Sequence, residues 1–116
     1  MNIIAIVLIT FFTFASSIKI LGWQVFIFKT QLDFFKKYGL NRFHMFLVGV
    51  LELSAALLLT GSLITEYKVL TNLGALAIVL TSIGAVFFHL KFDTIKDAIP
   101  AFATLTLSSI LLAHNI

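Results

Sequence analysis

Long charge-free runs decide what this chain can become. Asn2–Ile18 carries no charged side chain, and Ile20–Phe28 continues the apolar stretch directly after Lys19. Phe43–Ile64 is interrupted by His44 and Glu52, while Val69–Phe88 and Ala98–Ala113 contain no ionisable group. A membrane-spanning helix needs about 20 mostly apolar residues, because the hydrocarbon interior offers the backbone no water to bond with. The runs therefore predict an all-α protein, an integral membrane up-down four-helix bundle in a single transmembrane domain over residues 1–116. The expected helices are about 2–28, 43–64, 69–90 and 98–114, with an interfacial connection at 29–42.

Composition excludes the alternatives. Of the 116 residues, 60% are hydrophobic and 11% charged, and the mean hydropathy is +1.11. A soluble domain carries about 25% charged residues. A chain this short could not hide so much apolar surface from water. A soluble globular domain, a disordered chain and a nucleic-acid binder are all ruled out. The chain has no cysteine, which removes disulfide, thiol-redox and Cys-ligated metal chemistry. No basic stretch precedes the first apolar run, so it reads as a retained helix and not a cleaved leader.

The connections carry the polar signals. Residues 29–42 mix Phe34, Phe35 and Tyr38 with Lys36 and Lys37 and close on Gly39, as an amphipathic interfacial stretch would. Thr65 to Lys68 is a tight link. Asp97 is expected to cap the fourth helix, leaving Pro100 in its first turn. Lys19, Lys29, Lys36, Lys37, Arg42, Lys91 and Lys96 lie at one end of such a bundle, and Lys68 lies at the other. By the positive-inside rule the 29–42 and 91–97 connections are cytoplasmic and both termini lie outside, as expected in a bacterial inner (plasma) membrane.

Glu52 is the residue that most invites a function. About ten residues into its helix, it sits roughly 14 Å deep, near the bilayer midplane. A bare carboxylate there costs several kcal/mol, so it should face protein, find a partner or stay protonated. Gly49, Ala55 and Ala56 share its face and would let a neighbouring helix come close. Lys19 is the natural partner, although its long stem could instead snorkel to the interface. His89, His44 and Arg42 sit towards the same end, so polar groups converge on one half of the bundle. His44 and His114 read mainly as interfacial residues. His44, Glu52 and His89 form only a weak metal-ligand pattern, and no metal is expected. No HExxH, P-loop, GxGxxG, DxD or spaced Ser/His/Asp arrangement is present.

The order of several short motifs resembles the DoxX-like family of small four-helix membrane proteins. The motifs are Ser17-Ile18-Lys19; Phe35 and Tyr38-Gly39-Leu40; Val48-Gly49-Val50-Leu51-Glu52-Leu53; Gly84-Ala85-Val86-Phe87-Phe88-His89; and Ala98-Ile99-Pro100-Ala101. The resemblance covers nearly the whole chain, and the matching positions are Lys19, Gly49, Glu52, His89 and Pro100. It implies kinship with a subunit associated with a thiosulfate:quinone oxidoreductase and with members of other membrane redox complexes. It also implies an animal branch similar to assembly chaperones of nicotinic receptors, and a bundle similar to that of vitamin K epoxide reductase. The absence of cysteine departs from the chemistry of that last enzyme.

Three functional expectations follow. The first is an accessory subunit or assembly factor of a membrane complex, redox complexes included, with a membrane-protein partner or a second copy of itself. The second is a lipid-, isoprenoid- or quinone-binding protein, with or without catalysis, whose polar site involves Glu52, Lys19, His89, Gly49 and Pro100. The third is a proton-coupled dimeric transporter that pairs through a Gly74, Ala77, Thr81, Gly84 stripe.

Overall fold

Four charge-poor helices of spanning length form where the apolar runs force the backbone to bond to itself. In the computed structural model, which describes residues 2–115, these are α1 (Asn2–Leu21), α3 (Arg42–Thr65), α4 (Lys68–Phe92) and α5 (Ile95–Asn115). A shorter helix, α2 (Val25–Lys37), lies between the first two. No strand occurs among the described residues. Successive spans are antiparallel: α1 packs on α3, α3 on α4 and α4 on α5, and a lighter α5–α1 contact closes the ring. The longest dimension, 39 Å, suits a bilayer about 40 Å thick with its headgroups. Large apolar side chains such as Leu57, Ile64 and Leu80 point outwards and are well exposed, as lipid-facing residues are.

The first span is shorter than expected. It ends at Leu21 and does not run to residue 28, because Gly22 turns to φ +68° while its N–H still reaches the Ile18 carbonyl at 2.7 Å. Positive φ is inexpensive for glycine alone. Gln24 then starts α2 by accepting a bond from the Ile27 N–H at 3.1 Å. The 29–42 connection is therefore mostly helix. α2 ends in a Schellman motif: Gly39 at φ +81° donates to Lys36 O, and Leu40 N–H donates to Phe35 O. Asn41 caps α3, and the His44 ring returns the bond to the Asn41 N–H. That capping box gives His44 a structural task.

The fourth span also starts elsewhere. Thr94, and not Asp97, is its cap: Thr94 Oγ1 accepts from Asp97 N–H, and the Asp97 carboxylate accepts from Thr94 in return. Helix α5 thus begins at Ile95, and Pro100 falls in its second turn. The missing proline N–H leaves one carbonyl of the preceding turn without its helical partner.

Small residues set the helix spacing. A Cβ on Gly49 would lie 2.9 Å from the Lys19 Cβ, and one on Gly74 would lie 3.1 Å from the Ala55 carbonyl oxygen. Gly49 therefore sets the α1–α3 approach and Gly74 the α3–α4 approach. The core gathers Leu8, Phe12, Ala56, Leu59, Ile78 and Leu111 from all four spans, towards the end where the termini lie. The opposite half is not filled in this way, and α2 lies across it.

Candidate functional site

Between the apolar core and α2 the bundle frames a half-open cavity of about 550 Å³. All five helices contribute to its wall. The lining is mainly apolar and rich in aromatic rings: Phe11 and Phe12 from α1, Phe34, Phe35 and Tyr38 from α2 and its cap, and Phe88 from α4. The amphipathic pattern of α2 explains its position. Ile27, Gln31, Phe34, Phe35 and Tyr38 recur at helical spacing and face the cavity, while Lys29, Asp33, Lys36 and Lys37 are exposed.

Lys19 and Glu52 form an ion pair on the cavity wall. The Lys19 Nζ lies 2.9 Å from Glu52 Oε1, and the two residues are 8% and 7% exposed. Of the two expected orientations, Lys19 takes the inward one. Gly49 makes this possible, since α1 lies so close there that the lysine stem passes directly over the glycine. Apart from this ammonium, Oε1 has no donor among the described residues. Gln31 Oε1, on α2, is a second buried acceptor without a donor among those residues.

His89 lines the same cavity but does not join this pair. Its Nδ1 lies 2.9 Å from Asp93 Oδ2 and 3.0 Å from the Tyr38 oxygen. The Tyr38 hydroxyl donates to the same carboxylate at 2.6 Å, and Lys37 Nζ reaches the other oxygen at 2.5 Å. Tyr38 also stacks on Phe88 at 4.9 Å. The cluster fastens the C-terminal end of α2 to the C-terminal end of α4. Arg42 secures the other side: its Nη2 donates to Ile20 O at 2.9 Å, and its guanidinium lies 4.9 Å from the Phe28 ring centre.

This latch is electrostatically tuned. Burial raises the Tyr38 hydroxyl well above the ordinary tyrosine range, and the Asp93 hydrogen bond and charge push it the same way. Burial also pulls Asp93 upwards. The hydrogen bonds from Lys37, Tyr38 and His89 outweigh that and hold its carboxyl below the usual range. A lowered carboxylate stabilises the folded state above its ordinary value of about 4 and loses that contribution as pH falls through the native value. A raised tyrosine stabilises below about pH 10 and loses its share above it. The latch should hold between those limits, and near-UV circular dichroism of the tyrosines should stay flat there. At fixed neutral pH, Asp93→Asn should speed amide exchange in α2 by about ten-fold while leaving α3 unchanged. Equal protection of α2 in the two proteins would show that Asp93 does not hold it.

Of the residues expected at the site, Lys19, Glu52, His89 and Pro100 all border the cavity, and Gly49 lies behind the ion pair. His44 and His114 are exposed; His114 borders a smaller polar cleft at the opposite end. Among the described residues, no three His, Asp or Glu side chains converge as metal ligands. The Gly74–Gly84 stripe does not form one packing face, since Gly74 is buried against α3 and Gly84 opens onto the cavity. Sequence reasoning missed Gln31, Lys37 and Asp93. His89 and Asp93 are four apart at a helix end, the one local signal that could have found the latch.

Comparison with curated proteins and with solved structures finds no match. The model of the DoxX-like family matches residues 3–111, nearly the whole chain. With four apolar spans in the expected order and that match over almost its full length, the chain belongs to the DoxX-like family of integral membrane proteins.

Proposed function

We propose that this protein binds a lipid-like molecule, an isoprenoid or a quinone among them, in the cavity beneath α2. The observation that carries this reading is the combination of an aromatic-lined space of about 550 Å³ with a buried ion pair at its wall. Ligand sites are typically concave and apolar with a few placed polar groups, and they run from about 300 to 1,000 Å³. The rings would take the apolar body, and Lys19, Glu52 and Gln31 the polar end. The accessory-subunit reading rests on the small size of the chain and on the resemblance, whereas the cavity is a feature of the fold itself.

Gly84 provides the test. A side chain there meets no atom within 4 Å at the Cβ position and projects from the cavity wall. Gly84→Phe should therefore fill the space while the ion pair and the latch stay intact. Lipid mass spectrometry of protein purified from its native membrane should find a stoichiometric apolar molecule, reduced about ten-fold in the variant. A preparation without any such molecule, or the same occupancy in both proteins, would sink the proposal.

The reading extends to orientation. The seven basic residues at the α2 end support a cytoplasmic position for that end, with both termini on the far side of a bacterial inner membrane. Because the chain has no cysteine, single Cys replacements at Lys29 and Lys68 can be labelled on a clean background. A membrane-impermeant maleimide should reach only the second from outside the cell, and labelling at position 29 would reverse the orientation.

A further inference from the structure

The polar end of the cavity has a surplus of one kind of hydrogen-bonding group. Two buried acceptors line it: Gln31 Oε1 receives no hydrogen bond, and Glu52 Oε1 has no donor beside it except the Lys19 ammonium. The donors around them are largely committed. The Tyr38 hydroxyl donates to Asp93, Ser82 and Thr104 bond to each other at 2.7 Å, and Thr81 donates to Ile78 O. Lys19 has N–H groups to spare, since an ammonium carries three and its one close contact is Glu52. The site therefore presents two acceptors open to a donor, beside the Lys19 ammonium and the Gln31 amide N–H groups, which can serve an acceptor.

Charge narrows the choice further. Lys19 and Glu52 neutralise each other. Asp93 is met by Lys37 and His89, and Asp97, at the cavity edge, is held by Thr94. An anionic headgroup would face Glu52 and Asp97, and a cationic one would face Lys19, each without a free counter-charge in a low-dielectric setting. A ketone, ester or ether could accept from Lys19 but would bring no proton to the carboxamide oxygen and would compete with Glu52 for the ammonium. A hydroxyl both donates and accepts.

Building on the proposed cavity ligand, we infer that its headgroup is neutral and hydroxyl-bearing: hydroxyl protons go to Gln31 and Glu52, and a hydroxyl oxygen accepts from Lys19. Monoglycerides and reduced quinones, each with two hydroxyl protons, share this chemistry.

Matched probes separate the headgroup from the cavity. The full-length protein in nanodiscs is titrated with 1-O-hexadecylglycerol, with the same molecule methylated on both hydroxyls, and with its 3-phosphate. The methylated compound keeps every acceptor and the chain but loses both donors. The diol should bind at least ten-fold more tightly than either of the others. Gln31→Leu, a change on the short α2 helix outside the spans, should weaken the diol about five-fold and leave the methylated compound unaffected. Equal binding of diol and methylated compound, tightest binding of the phosphate, or an unchanged diol affinity in Gln31→Leu would each overturn the headgroup assignment while leaving the cavity reading intact. Failure of all three probes to bind would overturn the cavity reading and this inference together.

Discussion

Replacing Lys19 with methionine should destabilise the protein by roughly 3 kcal/mol, one of the largest single-residue effects in the chain. The methionine keeps the stem that packs over Gly49 but leaves Glu52, 7% exposed, as a buried acid with no cation beside it. Glu52→Gln should cost less, about 1 kcal/mol. It leaves an unpaired lysine, but Lys19 is two residues from the end of α1, where a long side chain can swing to the interface. Glutamate at mid-helix has no such exit. The double replacement should cost about 2 kcal/mol, less than Lys19→Met alone, which corresponds to a coupling of about 2 kcal/mol between the two sites. Thermal melting in mild detergent measures all three. Equal losses from the two single variants would contradict the proposed asymmetry, and additive losses in the double variant would show that the pair does not interact.

Gly49→Ala and Gly74→Ala should each lower stability by about 2 kcal/mol, and Gly84→Ala should leave it unchanged or slightly raise it. The added methyl at position 49 lands 2.9 Å from the Lys19 Cβ and 3.0 Å from Ile20 Cγ1. At position 74 it lands 3.0 Å from the Leu59 side chain and 3.1 Å from the Ala55 carbonyl oxygen. A Cβ and a carbonyl oxygen are anchored to their helices and cannot swing aside, so the helices themselves must separate. In a bilayer, close packing of this kind holds helices together, because lipid tails are as apolar as the side chains they would replace. At Gly84 the methyl meets nothing within 4 Å. The same melting experiment compares the three, and a Gly84→Ala loss as large as the others would mean that the cavity wall is tighter than this packing implies.

The spans were legible because the rule that creates them is local. A run such as Val69–Phe88 needs no tertiary contact to be recognised, since the requirement for internal backbone bonding acts within the segment. Glu52 stood out for the same reason: its cost depends on depth, which counting along a helix supplies. Its partner was among those expected, since Lys19 is one of few cations near that depth. The boundaries were less legible. Gly22 breaks the first helix because its backbone turns to φ +68°, a conformation glycine permits but does not require. Thr94 and Asp97 both suit a helix cap, and the chain direction after Asp93 decides between them.

The latch and the cavity were not legible. Lys37 and Asp93 meet across 56 residues, and each alone reads as an ordinary charge in a short connection. No period in the sequence links them. A cavity is still less visible, because it is the space that four spans leave unfilled in the half that α2 covers. The amino-acid sequence by itself determined that four helices cross the membrane, which end gathers the basic residues, and that a buried acid needs company. Only the tertiary structure decided that α2 docks across the bundle, that His89 belongs to the latch and not to the ion pair, and that two acceptors face one cavity. The first set follows from solvation of each segment on its own, the second from contacts between side chains far apart in the chain.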